Sequence, residues 1–95
     1  MILLEDKLLE ELVRTWGKEA QIKMAIEEMG ELITVLMRID RGRVETGDVT
    51  TEIADVGLMI QQLRYIFGKE QVDLDTNYKI NRVKERLQKY ARRDT

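Results

Sequence analysis

An all-α fold, a four-helix subunit that builds a helical bundle in an oligomer, is predicted by three observations. The composition is 43% hydrophobic and 36% charged with only 5% aromatic residues and no Pro, a mix that favours helices over strands. Apolar residues recur at three- and four-residue spacing along most of the chain. Six Gly residues divide it: Gly17, Gly42, Gly47 and Gly68 punctuate, while Gly30 and Gly57 lie inside periodic stretches. Ninety-five residues suit a single domain over residues 1–95. A chain this short buries only about 60–65% of its unfolded surface, which suits a subunit better than a self-sufficient body.

The first helix is expected over residues 3–15, where Leu4, Leu8, Leu9, Leu12 and Val13 fall at helical spacing. The second, over 18–40, carries a broad apolar face that includes Ile22, Ala25, Met29, Leu32 and Leu36. The third is expected over 49–67, with Asp48 as N-cap and Gly68 as stop. Ile53, Val56, Met59, Ile60, Leu63 and Phe67 make it apolar over more than half its girth. The fourth, over 73–92, is polar and basic through Arg82, Lys84, Arg86, Lys89 and Arg92. The connection Arg41-Gly42-Arg43-Val44-Glu45-Thr46-Gly47 is short, so helices two and three should be antiparallel neighbours. Helix three is too apolar for a lone unit of this size. One of its faces is expected to meet another subunit, giving a dimer or a tetramer.

Charge and missing residue types narrow the chemistry. Sixteen basic and eighteen acidic residues give a net charge of −2, unlike a nucleic-acid-binding surface. No apolar run approaches the roughly 20 residues that span a bilayer, and the N-terminus lacks the basic start of a signal peptide. A cytoplasmic protein is expected. The absence of Cys removes disulfides and thiolate metal sites. The absence of His removes the usual zinc ligand and general base.

Carboxylates remain, and their placement is unusual. Glu28 and Glu31 on helix two are i and i+3, as are Glu52 and Asp55 on helix three. Such positions lie only about 60° apart around a helix. Each pair borders apolar residues, and no basic residue stands one turn from Glu28 or Glu31 on its own helix. If the helices are antiparallel, the pairs can face one another. The acids then need either raised pKa values or cations among them. Hard oxygen donors without imidazole or thiolate suit Mg²⁺, with Mn²⁺ as the alternative. On spacing alone, a solvated acidic stripe is the other reading.

The order Glu27-Glu28-Met29-Gly30-Glu31, then twenty residues, then Glu52-Ile53-Ala54-Asp55 resembles the MazG family of all-α nucleoside triphosphate pyrophosphohydrolases. Its relatives include dimeric dUTPases, dCTP pyrophosphatases and phosphoribosyl-ATP pyrophosphohydrolases. The flanks Ala25-Ile26 and Val56, the stretch from Trp16 to Gln21, and Tyr78-Lys79 with Arg82 are similar too, so the likeness covers roughly residues 14–88. The resemblance implies that Glu28, Glu31, Glu52 and Asp55 bind Mg²⁺, and that water attacks the α-phosphorus of a nucleoside triphosphate to give the monophosphate and pyrophosphate. A carboxylate not consumed in coordination then takes the water's proton, with Glu27 and Glu31 the candidates. The absence of His is no obstacle, because phosphoryl transfer depends mainly on positioning and charge stabilisation.

Lys79 and Arg82 resemble the basic, phosphate-contacting part of the family's last helix; a solvated helix face is the other reading. Trp16 is a candidate to stack on a nucleobase and Gln21 to read its edge; a Trp packed in a small core is the alternative. Some relatives carry Tyr where this chain has Met59, which leaves that phosphate contact unfilled. A non-catalytic oligomerisation or partner-binding module that keeps the fold is therefore the competing function.

Overall fold

The computed structural model describes residues 1–42 and 46–93, and its regular structure is four helices: α1 Asp6–Trp16, α2 Lys18–Asp40, α3 Thr46–Phe67 and α4 Lys69–Arg93. The fold is all-α, and no helix among the described residues is long and apolar enough to cross a membrane. Arg43, Val44 and Glu45 of the expected α2–α3 connection lie outside the described residues.

The first helix starts at Asp6 rather than at residue 3, and a long-range contact explains why. The buried Gln61 side chain of α3 accepts from the Leu4 N–H at 2.7 Å and donates to the Ile2 carbonyl at 2.8 Å. Those backbone groups are satisfied by α3, so residues 1–5 run as an extended strap instead of a helical turn. Gly17 then separates α1 from α2 alone, at φ +88° and ψ 153°, a conformation that side-chain-bearing residues strongly disfavour.

The third helix begins at Thr46, so Asp48 sits in its first turn and not at its cap. The Thr50 and Thr51 hydroxyls both donate to the Gly47 carbonyl at 3.0 Å, tying the chain into that turn ahead of Asp48. A carboxylate there still favours the helix by meeting its positive end. The fourth helix begins at Lys69, not at residue 73. Gly68, at φ +121°, turns the chain without a linker. Arg64 near the end of α3 grips Asp73 through two hydrogen bonds of 2.9 and 2.6 Å, and Lys69 pairs with Asp6 of α1.

Helices α1, α2 and α3 pack on one another around Leu9, Ala25, Val49 and Met59. The backbone of α4 approaches only α3, and its surface is almost wholly exposed. The chain therefore has a radius of gyration of 17.0 Å and extends 56 × 38 × 21 Å. A compact body of this length would have a radius near ~12 Å. One copy does not close a four-helix bundle: three helices form its body and the fourth projects from it.

Candidate metal centre

Two pairings show how α2 and α3 run. Gln21, near the start of α2, donates through Nε2 to Gln62 Oε1, near the end of α3, at 2.6 Å. Further along α2, Glu28 and Glu31 meet Glu52, which stands toward the start of α3. The helices are antiparallel. The i, i+3 spacing places Glu28 and Glu31 on one flank of α2, and Glu52 faces them from α3.

Glu28, Glu31 and Glu52 each offer a carboxylate oxygen, and these oxygens all lie within 4.8 Å of one another. Glu28 and Glu52 are half-buried and Glu31 is exposed. The Oε2 atoms of both Glu28 and Glu52 are sealed from solvent without a hydrogen-bond partner. Leaving a buried acceptor unpaired is unfavourable, more so when it carries charge. Desolvation is the main force pushing both pKa values above the usual carboxylate range. The negative charges of Glu31 and Asp55 act on both in the same direction, and Glu52 adds to the effect on Glu28. Asp55 is not one of the three converging groups, but its charge reaches Glu28 and Glu52.

The donor set fits a hard divalent cation. It consists of carboxylates alone, two of its oxygens lack any other partner, and a positive ion would relieve the repulsion that raises the pKa values.

An open cleft of about 610 Å³ adjoins the cluster, lined by Glu27, Gly30, Glu31, Thr34, Val35, Arg38 and Glu52. Arg38 was not among the residues singled out from the sequence. Glu27, Glu31, Thr34 and Arg38 follow one another at four-, three- and four-residue steps, the spacing of a single helix flank. That spacing was the available signal. Arg38 has no carboxylate partner among the described residues, so its guanidinium is free to meet an anion in the cleft.

The remaining expected site residues lie elsewhere. Trp16 is 63% exposed at the end of α1, which overturns its reading as a core residue, and it borders a separate hollow with Lys18 and Lys23. Gln21 is buried and engaged with Gln62, while its own Oε1 is unpaired. Lys79 and Arg82 are exposed on α4, and neither lines the acidic cleft. Met59 is buried in the core, where its sulfur accepts a hydrogen bond from Gln62 Nε2 at 3.5 Å.

No family model, no curated protein and no solved structure matches the chain.

Proposed function

We propose that the protein is a MazG-like, Mg²⁺-dependent nucleoside triphosphate pyrophosphohydrolase that works as a homo-oligomer. The observation that carries this reading is the convergence of Glu28, Glu31 and Glu52, with two carboxylate oxygens buried and unpaired. Glu28, Glu31, Glu52 and the neighbouring Asp55 would hold the metal, with Mn²⁺ as a substitute. When bound, Mg²⁺ neutralises phosphate oxygens and lowers the pKa of coordinated water.

The chain's own groups divide the remaining work. Arg38 meets the triphosphate from the cleft wall, where a planar guanidinium suits paired phosphate oxygens. Glu27 or Glu31, both on that wall, takes the proton from the attacking water. The new bond forms between water oxygen and the α-phosphorus. The bond from that phosphorus to the oxygen it shares with the β-phosphorus breaks, and pyrophosphate leaves with the electron pair. Removal of non-standard or surplus nucleotides is the role that fits this chemistry.

A second reading, a non-catalytic helical oligomerisation module, is favoured by the burial of Met59 and by the absence of α4's Lys79 and Arg82 from the cleft lining. One experiment separates the two. The purified chain is incubated with Mg²⁺ and a panel of canonical and modified nucleoside triphosphates, and pyrophosphate is assayed. Release that disappears in Glu28→Gln and Asp55→Asn supports the hydrolase. No release from any nucleotide supports the module.

A further inference from the structure

Charge is divided along the chain. Residues 1–78 hold nine basic and sixteen acidic residues, a net −7, whereas residues 79–95 hold seven basic and two acidic, a net +5. The basic segment is the outer part of α4. Arg64 grips Asp73 and Lys69 pairs with Asp6, so the first turns of α4 are fixed to the body. From Asp73 to Arg92 every residue is exposed, and the acidic cleft is lined by α2 and α3 alone.

That exposed surface is ordered. Ile80, Val83, Leu87 and Tyr90 follow one another at steps of three, four and three residues, so at about 100° per residue they share a stripe about 80° wide. They are 45–69% exposed. Lys79 and Arg86 lie about 60–80° to one side of the stripe's midline, and Lys84 about 80° to the other. Glu85, the only acid from residue 76 to residue 93, falls about 180° from the midline. Lys79, Lys84 and Arg86 have no ion-pair partner among the described residues. Cations therefore bracket the apolar stripe, and the negative charge of this segment is confined to the opposite side.

This is the layout of a helix that lies in the surface of an anionic membrane. An apolar stripe of this kind enters the boundary between headgroups and acyl chains, while Lys and Arg stems run along it and lift their charges to the phosphates. Tyr90, at the edge of the stripe, has the apolar ring and polar tip that suit the headgroup level. α4 is about 37 Å long, several Debye lengths at physiological salt, so its outer half acts beyond the reach of the body's negative charge. Two other occupants fit less well. A nucleic acid would neutralise the cations but leave the stripe in water. Another α4 would cover the stripe but set Lys79, Lys84 and Arg86 against like charges.

We infer that the outer half of α4 is a peripheral anchor for anionic phospholipid surfaces, with Val83 and Leu87 entering the lipid and Lys79, Lys84 and Arg86 meeting the headgroup phosphates. The inference stands apart from the hydrolase reading, because no residue of the cleft takes part in it.

Co-sedimentation of the full chain with vesicles tests it. Binding is expected to vesicles of phosphatidylserine and phosphatidylcholine in about equal parts, weakening as salt is added, and not to phosphatidylcholine alone. Lys84→Glu with Arg86→Glu should lower the affinity by about 25-fold or more. Val83→Ser with Leu87→Ser changes no charge and should lower it by about tenfold or more. Both pairs stand on the exposed stretch of α4, so circular dichroism should show helicity retained. Lys18→Gln with Lys23→Gln removes cations from the body and should leave binding near the wild-type value. No binding to the anionic vesicles, equal binding to both kinds of vesicle, or unchanged binding in either α4 pair overturns the inference. Duplex DNA that binds in preference to the vesicles, and still binds the serine pair, assigns the cations to nucleic acid and also overturns it. An oligomer that the serine pair dissociates without vesicles present assigns the stripe to self-association, with the same consequence.

Discussion

Glu28 of α2 and Glu52 of α3 bring together two carboxylates that each end in a buried oxygen with no hydrogen-bond partner. Their repulsion is a standing cost to the metal-free fold, and it gives the site a measurable signature. Any cation that binds only the folded chain stabilises it by mass action, by about 2.7 kcal/mol at one hundred times its dissociation constant. Mg²⁺ and Mn²⁺ should both raise the melting temperature, and K⁺ at matched ionic strength should not. Glu28→Gln and Glu52→Gln should abolish that rise while making the metal-free protein melt higher than wild type. Differential scanning fluorimetry reads all of these.

The pH dependence has a definite sign. The folded-state pKa values of Glu28 and Glu52 are raised above 4.5, so the folded chain holds protons that the unfolded chain has released. Stability then increases as pH falls from neutrality through the folded pKa values, and this contribution is complete below the unfolded value near 4.5. Asp73 acts in the opposite direction. The hydrogen-bonded Arg64 guanidinium holds its pKa below 3.8, so its contribution disappears only as pH falls through that lowered value. Metal-free melting temperature should thus rise from pH 7 toward the carboxylate range and fall again in stronger acid. Saturating Mg²⁺ should flatten the rise. Thermal melts across pH with and without Mg²⁺ check both halves.

Gln21 and Gln62 form a buried polar tie between α2 and α3. Gln62→Leu leaves the buried Gln21 amide without its acceptor and should destabilise the fold by about 1–3 kcal/mol. Adding Gln21→Met should recover much of that loss, because replacing both partners removes the unmet hydrogen bond. Urea unfolding of the two single variants and the double variant measures the coupling.

Arg38 provides a test of the cleft that is separate from the metal. Arg38→Ala should raise the KM for a hydrolysed nucleoside triphosphate by about tenfold or more, as expected for a lost charge-assisted contact to phosphate. Mn²⁺ affinity should stay near the wild-type value. Steady-state kinetics paired with a Mn²⁺ titration checks the separation.

What the sequence made readable follows from local physics. Periodicity and Gly breaks mark all four helices, because both act within a turn or two of the chain. The i, i+3 acids were visible for the same reason. The convergence of Glu28 and Glu31 with Glu52 required the antiparallel register of α2 and α3, which spacing alone does not supply. The early start of α4 was hidden because Gly68 turns the chain by itself and Arg64 secures Asp73 across nine residues. The strap was hidden because Gln61 reaches Leu4 across 57 residues. Arg38 was hidden because it stands seven residues beyond Glu31, two turns along the same helix flank rather than one. The projection of α4 left no local mark.

Binding of Mn²⁺, followed by electron paramagnetic resonance in wild type and in a Glu28→Gln, Glu52→Gln double variant, is the most direct test of the central claim. The account predicts a saturable site in the wild type, at millimolar metal or below, that weakens by about tenfold or more in the double variant. Equal titrations of the two proteins, or no bound Mn²⁺ in the wild type across that range, would contradict it.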